Sequence, residues 1–131
     1  MTRRQAREQA FVLLFEKSFN PEASIDDFIE LAKELRMLED DDFALKLVHT
    51  ACDNVEAIDG YISSNSRGWK INRIPRVSLA IIRLALAEIL YFDEVPDGVA
   101  VNEAVVLAKK YSTPEDASFI NGLLGTVVRS K

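Results

Sequence analysis

The chain has 131 residues, of which 48% are hydrophobic, and its formal net charge is -5. This length fits one ordinary domain with a full hydrophobic core, so residues 1–131 are treated as a single domain. The single cysteine, Cys52, excludes an internal disulfide. The longest apolar run near the N-terminus, residues 10–15, is too short for a signal peptide or a membrane span. We therefore expect a soluble protein of the reducing cytoplasm, without membrane association.

The charges are distributed unevenly along the chain. Nine of the 21 acidic residues lie between positions 22 and 42, whereas residues 60–87 contain no acid and five cations. The N-terminus adds three arginines close together. A negative net charge argues weakly against nucleic-acid binding, but the distribution matters more than the sum. If the two basic segments fold onto one face, they would form a phosphate-binding surface.

Apolar residues recur at helical spacing along most of the chain, which predicts an all-α protein. The first helix is expected over residues 2–19, and the second is expected to begin at Ser24, a good N-cap residue. The acidic run 39–42 is typical of a helix N-terminus, where carboxylates complement the helix dipole. The apolar stripe that follows predicts one uninterrupted third helix as far as Ile62.

The second half of the chain predicts a short helical turn over residues 69–74 and then a helix over 75–92. That helix is apolar on most sides, so we expect it to be central and buried. A helix over 99–111 follows, and Thr113 is expected to cap the last helix. Gly122 lies inside this last helix, where glycine is disfavoured, and predicts close packing against a neighbouring backbone. The expected fold is six or seven helices in two sub-bundles around the 75–92 helix.

Four segments of the sequence resemble the NusB family. They occur in the family's order and spread over the whole chain: residues 3–10 (RRQAREQA) followed by Leu14 and Phe15, residues 80–89 (AIIRLALAEI), residues 99–111 (VAVNEAVVLAKKY) and residues 119–124 (FINGLL). Each segment alone is a weak signal, but the four together are specific.

The resemblance implies an all-α fold of two antiparallel helical bundles and a role in transcription antitermination and ribosomal RNA synthesis. It further implies that the protein pairs with NusE, a ribosomal protein, and binds single-stranded boxA RNA. The pair would help to hold a complex on RNA polymerase with other Nus factors. Some family members self-associate, so a homodimer is a further expectation.

Three positions depart from the family pattern. Ala87 replaces a usual tyrosine, which affects local packing. Phe15 replaces another tyrosine and lacks its hydroxyl, which affects a partner contact. Ser118 stands where a basic residue is common, which removes one candidate phosphate contact.

The N-terminal arginines are the first candidates for RNA binding. Arg3 and Arg7 are four residues apart on a helix and share a face, with Arg4 beside them. Guanidinium groups at a chain terminus can bind phosphates. Cations at a helix start oppose the dipole, which favours a functional role over a merely solvated helix end.

A second basic segment consists of Arg67, Lys70, Arg73 and Arg76, with Trp69 among them. Its first three cations are the RNA-binding candidates. Single-stranded RNA is bound by basic grooves with planar side chains on which bases stack. For Trp69 we favour the simpler interpretation that it fills the gap between the bundles. The cations are either near RNA or only solvated.

Phe119 lies off the apolar stripe of the last helix, so we expect it to be partly exposed and able to stack on a base, although ordinary packing is an equal alternative. The resemblance adds Asn121 to the RNA-binding candidates. Asp116 is expected to lie in the first turn after Thr113. As a carboxylate near RNA it would weaken binding. Phe15 and Phe19 are candidates for docking the protein partner, with core packing as the alternative.

No residues predict catalysis, a cofactor or a metal. Glu88 could be buried against Arg83 or a helix terminus, but no histidine or metal set accompanies it. His49 and Cys52 have metal-pair spacing without a second pair. We therefore expect a non-enzymatic binding protein. Two alternatives stay open: an accessory domain of a ribosomal RNA methyltransferase system, and a structural helical oligomer without an RNA role.

Overall fold

The computed structural model describes residues 1–66 and 70–131, and within them it contains α-helices and one 3-10 turn but no strand. The predicted all-α fold is confirmed. The 3-10 turn covers Ile71–Arg73. The helices, in chain order, are α1 (Arg3–Ser18), α2 (Ile25–Glu34), α3 (Asp42–Asp53), α4 (Val55–Asn65), α5 (Arg76–Tyr91), α6 (Asp97–Tyr111) and α7 (Pro114–Ser130). None of the helices in these two stretches is long and apolar enough to cross a membrane.

Helix α5 lies at the centre of the molecule. It contacts α1, α3, α4, α6 and α7, while α2 packs on α1. Ten of its sixteen residues are buried, including Ile81, Ile82 and Leu86. Because a helix that is apolar on most sides can be stable only when surrounded, the sequence pattern of this segment already required a central position.

The caps that the sequence predicts are present. The Thr113 hydroxyl accepts a hydrogen bond from the backbone N–H of Asp116, and Pro114 occupies the first turn of α7. The Asp41 carboxylate accepts one from the N–H of Ala44 at the start of α3. These short-range contacts satisfy backbone donors that a helix start leaves free, so they depend on local sequence alone.

The single helix expected as far as Ile62 is wrong, because the chain breaks at Asn54. This residue ends α3 and begins α4 with φ -117° and ψ 20°, and its side-chain amide donates to the carbonyl of Thr50. An asparagine side chain that bonds to nearby backbone competes with helical hydrogen bonds. The apolar stripe runs on through Val55 and Ile58, so helical periodicity did not reveal the break.

Helix α2 ends in a Schellman motif with an unusual residue. Arg36 has φ 57°, in the left-handed region, the N–H of Met37 donates to the carbonyl of Ala32, and the N–H of Arg36 donates to that of Lys33. Glycine is the usual residue at this position because a side chain costs free energy there.

We expect Arg36→Gly to raise the free energy of unfolding by up to about 1 kcal/mol, because glycine adopts the left-handed conformation without a Cβ penalty. Urea unfolding followed by circular dichroism measures the change. Lys33→Gly also replaces a cation by glycine, but at a residue with helical backbone one turn earlier. It should therefore lower the free energy of unfolding. A lower stability for Arg36→Gly would contradict the interpretation.

Candidate nucleic-acid interface

The start of α1 presents two arginines on the surface. A capping box fixes its first turn: the N–H of Gln5 donates to the Thr2 hydroxyl at 3.1 Å, and the N–H of Thr2 donates to the Gln5 side-chain carbonyl at 2.8 Å. Arg3 and Arg4 follow Thr2 directly and are exposed. The first turn contains no acidic residue. The local sequence therefore holds two guanidinium groups at a helix end whose own dipole is positive.

The two exposed arginines have different surroundings. The Arg3 guanidinium lies 4.1 Å from the centre of the Phe43 ring. Arg4 donates from Nε and Nη2 to the two carboxylate oxygens of Glu103 on α6, at 3.0 and 3.3 Å. A guanidinium has five N–H donors, so this contact leaves donors for a phosphate. A phosphate would nevertheless compete with Glu103 for Arg4.

Arg7, which was predicted to contact RNA beside Arg3 and Arg4, is buried and does not lie on this surface. Its side chain is only 7% exposed, and Nε and Nη2 donate to the Glu88 carboxylate at 2.7 and 3.0 Å. Glu88 is therefore buried as expected, but its partner is Arg7. Arg83, the partner suggested by the sequence, pairs instead with Asp59 on α4.

The second basic group lies near the other end of α1. Lys70 and Arg73 are exposed, whereas Arg67 and Trp69 lie outside the described residues. Arg76, which follows the 3-10 turn, donates to the carbonyl of Ser18 at the end of α1. From Arg4 to Ser18 is about 21 Å along a helix at 1.5 Å per residue. The described cations of the two basic segments therefore form two separate patches, and a common RNA-binding face that includes both stays a prediction.

Helix α7 contributes a polar surface with one aromatic ring. Phe119 is partly buried and packs against the core, so its predicted partial exposure is confirmed, and Asn121 is exposed. Phe119 and Ser118 line a cleft of about 290 Å³ together with Asn65 and Ser66 at the end of α4. Ser66 immediately precedes the second basic segment, so the aromatic candidate lies close to that point of the chain.

Two details of α7 differ from or extend the sequence interpretation. A Cβ added at Gly122 would meet no atom within 4 Å, so the expected close packing is wrong. Gly122 instead lines the cleft beside Phe119. The Asp116 carboxylate accepts a hydrogen bond from the Ser112 hydroxyl, which holds this negative charge at the start of α7.

The candidates for partner docking lie at the C-terminal end of α1. Phe15 is partly buried and packs against the core, and its ring meets that of Phe19 edge to face at 5.0 Å. Phe19 is exposed, and the Arg76 guanidinium lies 4.8 Å from its ring centre. A cleft of about 510 Å³ opens nearby, lined by Lys17 and Ser18 among others. An exposed aromatic beside a cleft is typical of protein contact sites.

The metal-pair spacing of His49 and Cys52 has no support from the surrounding residues. His49 contacts the carbonyl of Leu45 through Nδ1 and the carboxylate of Asp26 through Nε2. Burial raises the pKa of the Cys52 thiol above its ordinary value, so this side chain stays protonated near neutral pH. Within residues 1–66 and 70–131, no three histidine, cysteine or acidic side chains are grouped to hold a metal ion.

Within the described residues, the protein has seven helices with α5 at the centre, and two basic patches and an exposed aromatic lie at separate places on its surface. This is a small all-helical protein whose candidate binding groups lie on its exterior. The chain belongs to the NusB family, whose family model matches residues 4–129. This membership confirms the resemblance seen in the sequence and the expectation of a non-enzymatic protein.

Individual relatives agree with this assignment. The chain is 41% identical to the transcription antitermination protein NusB of Natranaerobius thermophilus, over 97% of this chain and 94% of that protein. It is 42% identical to NusB of Acetivibrio thermocellus, over 100% and 91% of the two chains.

Solved structures share the fold. T. maritima NusB superposes with a TM-score of 0.88 at 27% identity, covering 98% of this chain and 92% of the other. A crystal structure of the antitermination factors NusB and NusE in complex with dsRNA contains a chain with a TM-score of 0.86 at 26% identity, and the match covers 100% of both chains.

Proposed function

We propose that this protein is an RNA-binding transcription antitermination factor that pairs with the ribosomal protein NusE, binds boxA-type single-stranded RNA and promotes ribosomal RNA transcription in the cytoplasm. The observation that carries the proposal is the exposed arginine pair Arg3 and Arg4 at the start of α1, in a chain that belongs to the NusB family. The solved NusB–NusE complex with dsRNA supports NusE and RNA as the classes of partner.

The separation of the two basic patches favours an extended strand over a compact ligand. About 21 Å along α1 is a distance that several nucleotides of an extended strand would span. Phosphates at one end would contact Arg3 and Arg4, and those at the other end Lys70 and Arg73. Phe119 and Asn121 on α7 would add stacking and polar contacts to bases, each stack contributing about 1–3 kcal/mol.

The protein partner is assigned to the end of α1 that carries Phe15 and Phe19. The exposed Phe19 ring and the neighbouring cleft offer an aromatic anchor and a concavity, which are the features of binding hot spots. With NusE bound there, the protein would join an elongation complex of RNA polymerase and other Nus factors. A homodimer would be a separate state of the free protein.

A gel-shift experiment tests the proposal. A labelled boxA-like single strand is titrated with this protein alone, with NusE alone and with both, and a duplex of the same sequence is run in parallel. We expect a slower complex only when both proteins are present, and weaker binding of the duplex. Absence of any complex with both proteins would refute the RNA-binding role.

Asp116→Asn is expected to raise RNA affinity by about two- to fivefold. Removing one carboxylate beside phosphates relieves a repulsion of under about 1 kcal/mol at an exposed site. Asparagine retains an oxygen that accepts from the Ser112 hydroxyl, so α7 keeps its first turn. Fluorescence anisotropy at fixed salt measures the change, with Asp53→Asn at the end of α3 as the control. Unchanged or weaker binding by Asp116→Asn would refute the assigned effect.

A further inference from the structure

A second surface, separate from both basic patches, is an apolar groove of about 350 Å³ between α1 and α2. Its walls come from α1, α2 and the segment after α2, and its lining residues are mostly apolar with acidic or amide side chains between them. The apolar members used below are Val12, Phe28, Leu31, Leu35, Met37 and Leu38. Neither the RNA candidates nor the partner candidates of the previous section line it.

Three large apolar side chains of this groove are unusually exposed. Leu31 is 52% exposed, Leu35 is 59% exposed and Met37 is 70% exposed. Leu31 and Leu35 are four residues apart, so they share one face of α2. Single exposed apolar side chains are common on protein surfaces, but several side by side at a groove mark an interaction site. Methionine adapts its shape readily and is frequent on such surfaces.

The groove is held open by specific contacts. The left-handed turn at Arg36 brings the N–H of Met37 back to the carbonyl of Ala32, which folds Met37 over the end of α2. The Gln9 side-chain amide forms two hydrogen bonds with the backbone of Glu39. Gln9 Nε2 donates to the Glu39 carbonyl at 3.0 Å, and the Glu39 N–H donates to Gln9 Oε1 at 3.2 Å. The segment that forms the third wall is therefore fixed to α1.

The rim of the groove is acidic. Glu8 and Glu16 line it, and among the described residues no lysine or arginine does. Glu30 and Glu34 directly precede Leu31 and Leu35 on α2 and are exposed. The ammonium of Lys110 donates to both carboxylate oxygens of Glu8 at 2.9 Å and holds the pKa of Glu8 below its ordinary value. Because this pair compensates the charge of Glu8, the unpaired acidic character of the rim comes, within the described part of the chain, from Glu16, Glu30 and Glu34.

We propose that the α1–α2 groove docks an amphipathic helix of another protein, with leucine-like side chains in the groove and lysine or arginine residues against the acidic rim. Helix-in-groove binding uses apolar anchors at i, i+3, i+4 and i+7. The charge of the rim requires a positively charged partner, because an acidic rim repels both RNA and acidic helices. A second copy of this chain would bring two acidic rims together in a symmetric contact, which is unfavourable.

The test uses an 18-residue fluorescein-labelled peptide of leucine and lysine only, with leucines at i, i+3, i+4 and i+7 spacing. Binding to the full chain is followed by anisotropy at low and high salt. We expect the triple variant Leu31→Ser, Leu35→Ser, Met37→Ser to bind the peptide at least tenfold more weakly. The pair Glu16→Lys and Glu34→Lys should weaken binding similarly and reduce its dependence on salt.

Matched controls separate this groove from general attraction to an acidic protein. Val99→Ser and Tyr61→Ser remove exposed apolar side chains elsewhere, and Glu56→Lys with Asp93→Lys makes the same charge change as the rim variant. Both controls should bind the peptide as the parent protein does.

Three results would overturn the proposal. The first is that the triple serine variant binds the leucine–lysine peptide as tightly as the parent protein does. The second is that the parent protein binds a leucine–glutamate peptide as tightly as the leucine–lysine peptide. The third is a dimer in sedimentation that the triple variant abolishes, which would assign the groove to a second copy of this chain. RNA binding takes place at other residues, so the gel-shift result for the proposed function is independent of this outcome.

Discussion

Replacing Arg7 by alanine is expected to lower the free energy of unfolding by about 3–5 kcal/mol, because it leaves the carboxylate of Glu88 buried without its partner. The two side chains are 7% and 2% exposed and meet through two hydrogen bonds. They join α1 to the central helix α5. Urea unfolding followed by circular dichroism gives the free energy, and the midpoint should fall without a change in slope.

Two controls distinguish a buried unpaired charge from the loss of any arginine. Arg4→Ala removes the ion pair between an exposed arginine and Glu103 and should lower the unfolding midpoint far less than Arg7→Ala does. The double variant Arg7→Met, Glu88→Leu removes both charges and should recover most of the stability lost in Arg7→Ala. If Arg7→Ala unfolds within about 1 kcal/mol of the parent, the pair is not buried in solution.

Replacing Arg3 and Arg4 together by alanine is expected to weaken RNA binding by more than about tenfold while leaving the fold intact, because each charge-assisted contact contributes about 1.5–3 kcal/mol. Two lost phosphate contacts on a single strand should also reduce the slope of log affinity against log salt by about 1.4. Both effects are measured by anisotropy titrations at several salt concentrations. Circular dichroism should show unchanged helicity.

The matched control for this variant removes two cations elsewhere. Lys33→Ala with Arg36→Gly makes the same change in net charge at the end of α2, and it should leave the salt slope unaltered. If the Arg3 and Arg4 variant retained full affinity and slope, the start of α1 would have no role in RNA binding. Including Arg7 in the same variant would confuse this test, because its loss destabilises the whole protein.

The position of Arg7 shows how far helical spacing alone can place a site. Arg3, Arg4 and Arg7 occur on adjacent turns, and spacing predicts a shared face. Spacing does not predict which residues of that face contact another helix. Arg3 and Arg4 in the first turn of α1 are exposed, whereas one turn later the Arg7 side chain faces Glu88 on α5. The sequence separation of 81 residues between these partners hides the pairing.

The α1–α2 groove is likewise a product of tertiary packing. Leu31, Leu35 and Met37 look in the sequence like ordinary members of an apolar stripe. Their exposure follows from the position of α2, which packs mainly on α1, and from the left-handed turn at Arg36. Nothing in the local pattern predicts that an arginine adopts this conformation.

The features that could be predicted from the sequence alone depend on residues close together in the chain. Apolar periodicity predicted the helices and the central place of α5, and Thr113, Pro114 and Asp41 predicted helix starts, because these features depend on residues within one or two turns. Tertiary structure alone decided the burial of Arg7 with Glu88 and the separation of the two basic patches. These depend on which distant surfaces come together, and pairing across many residues leaves no periodic trace in the chain.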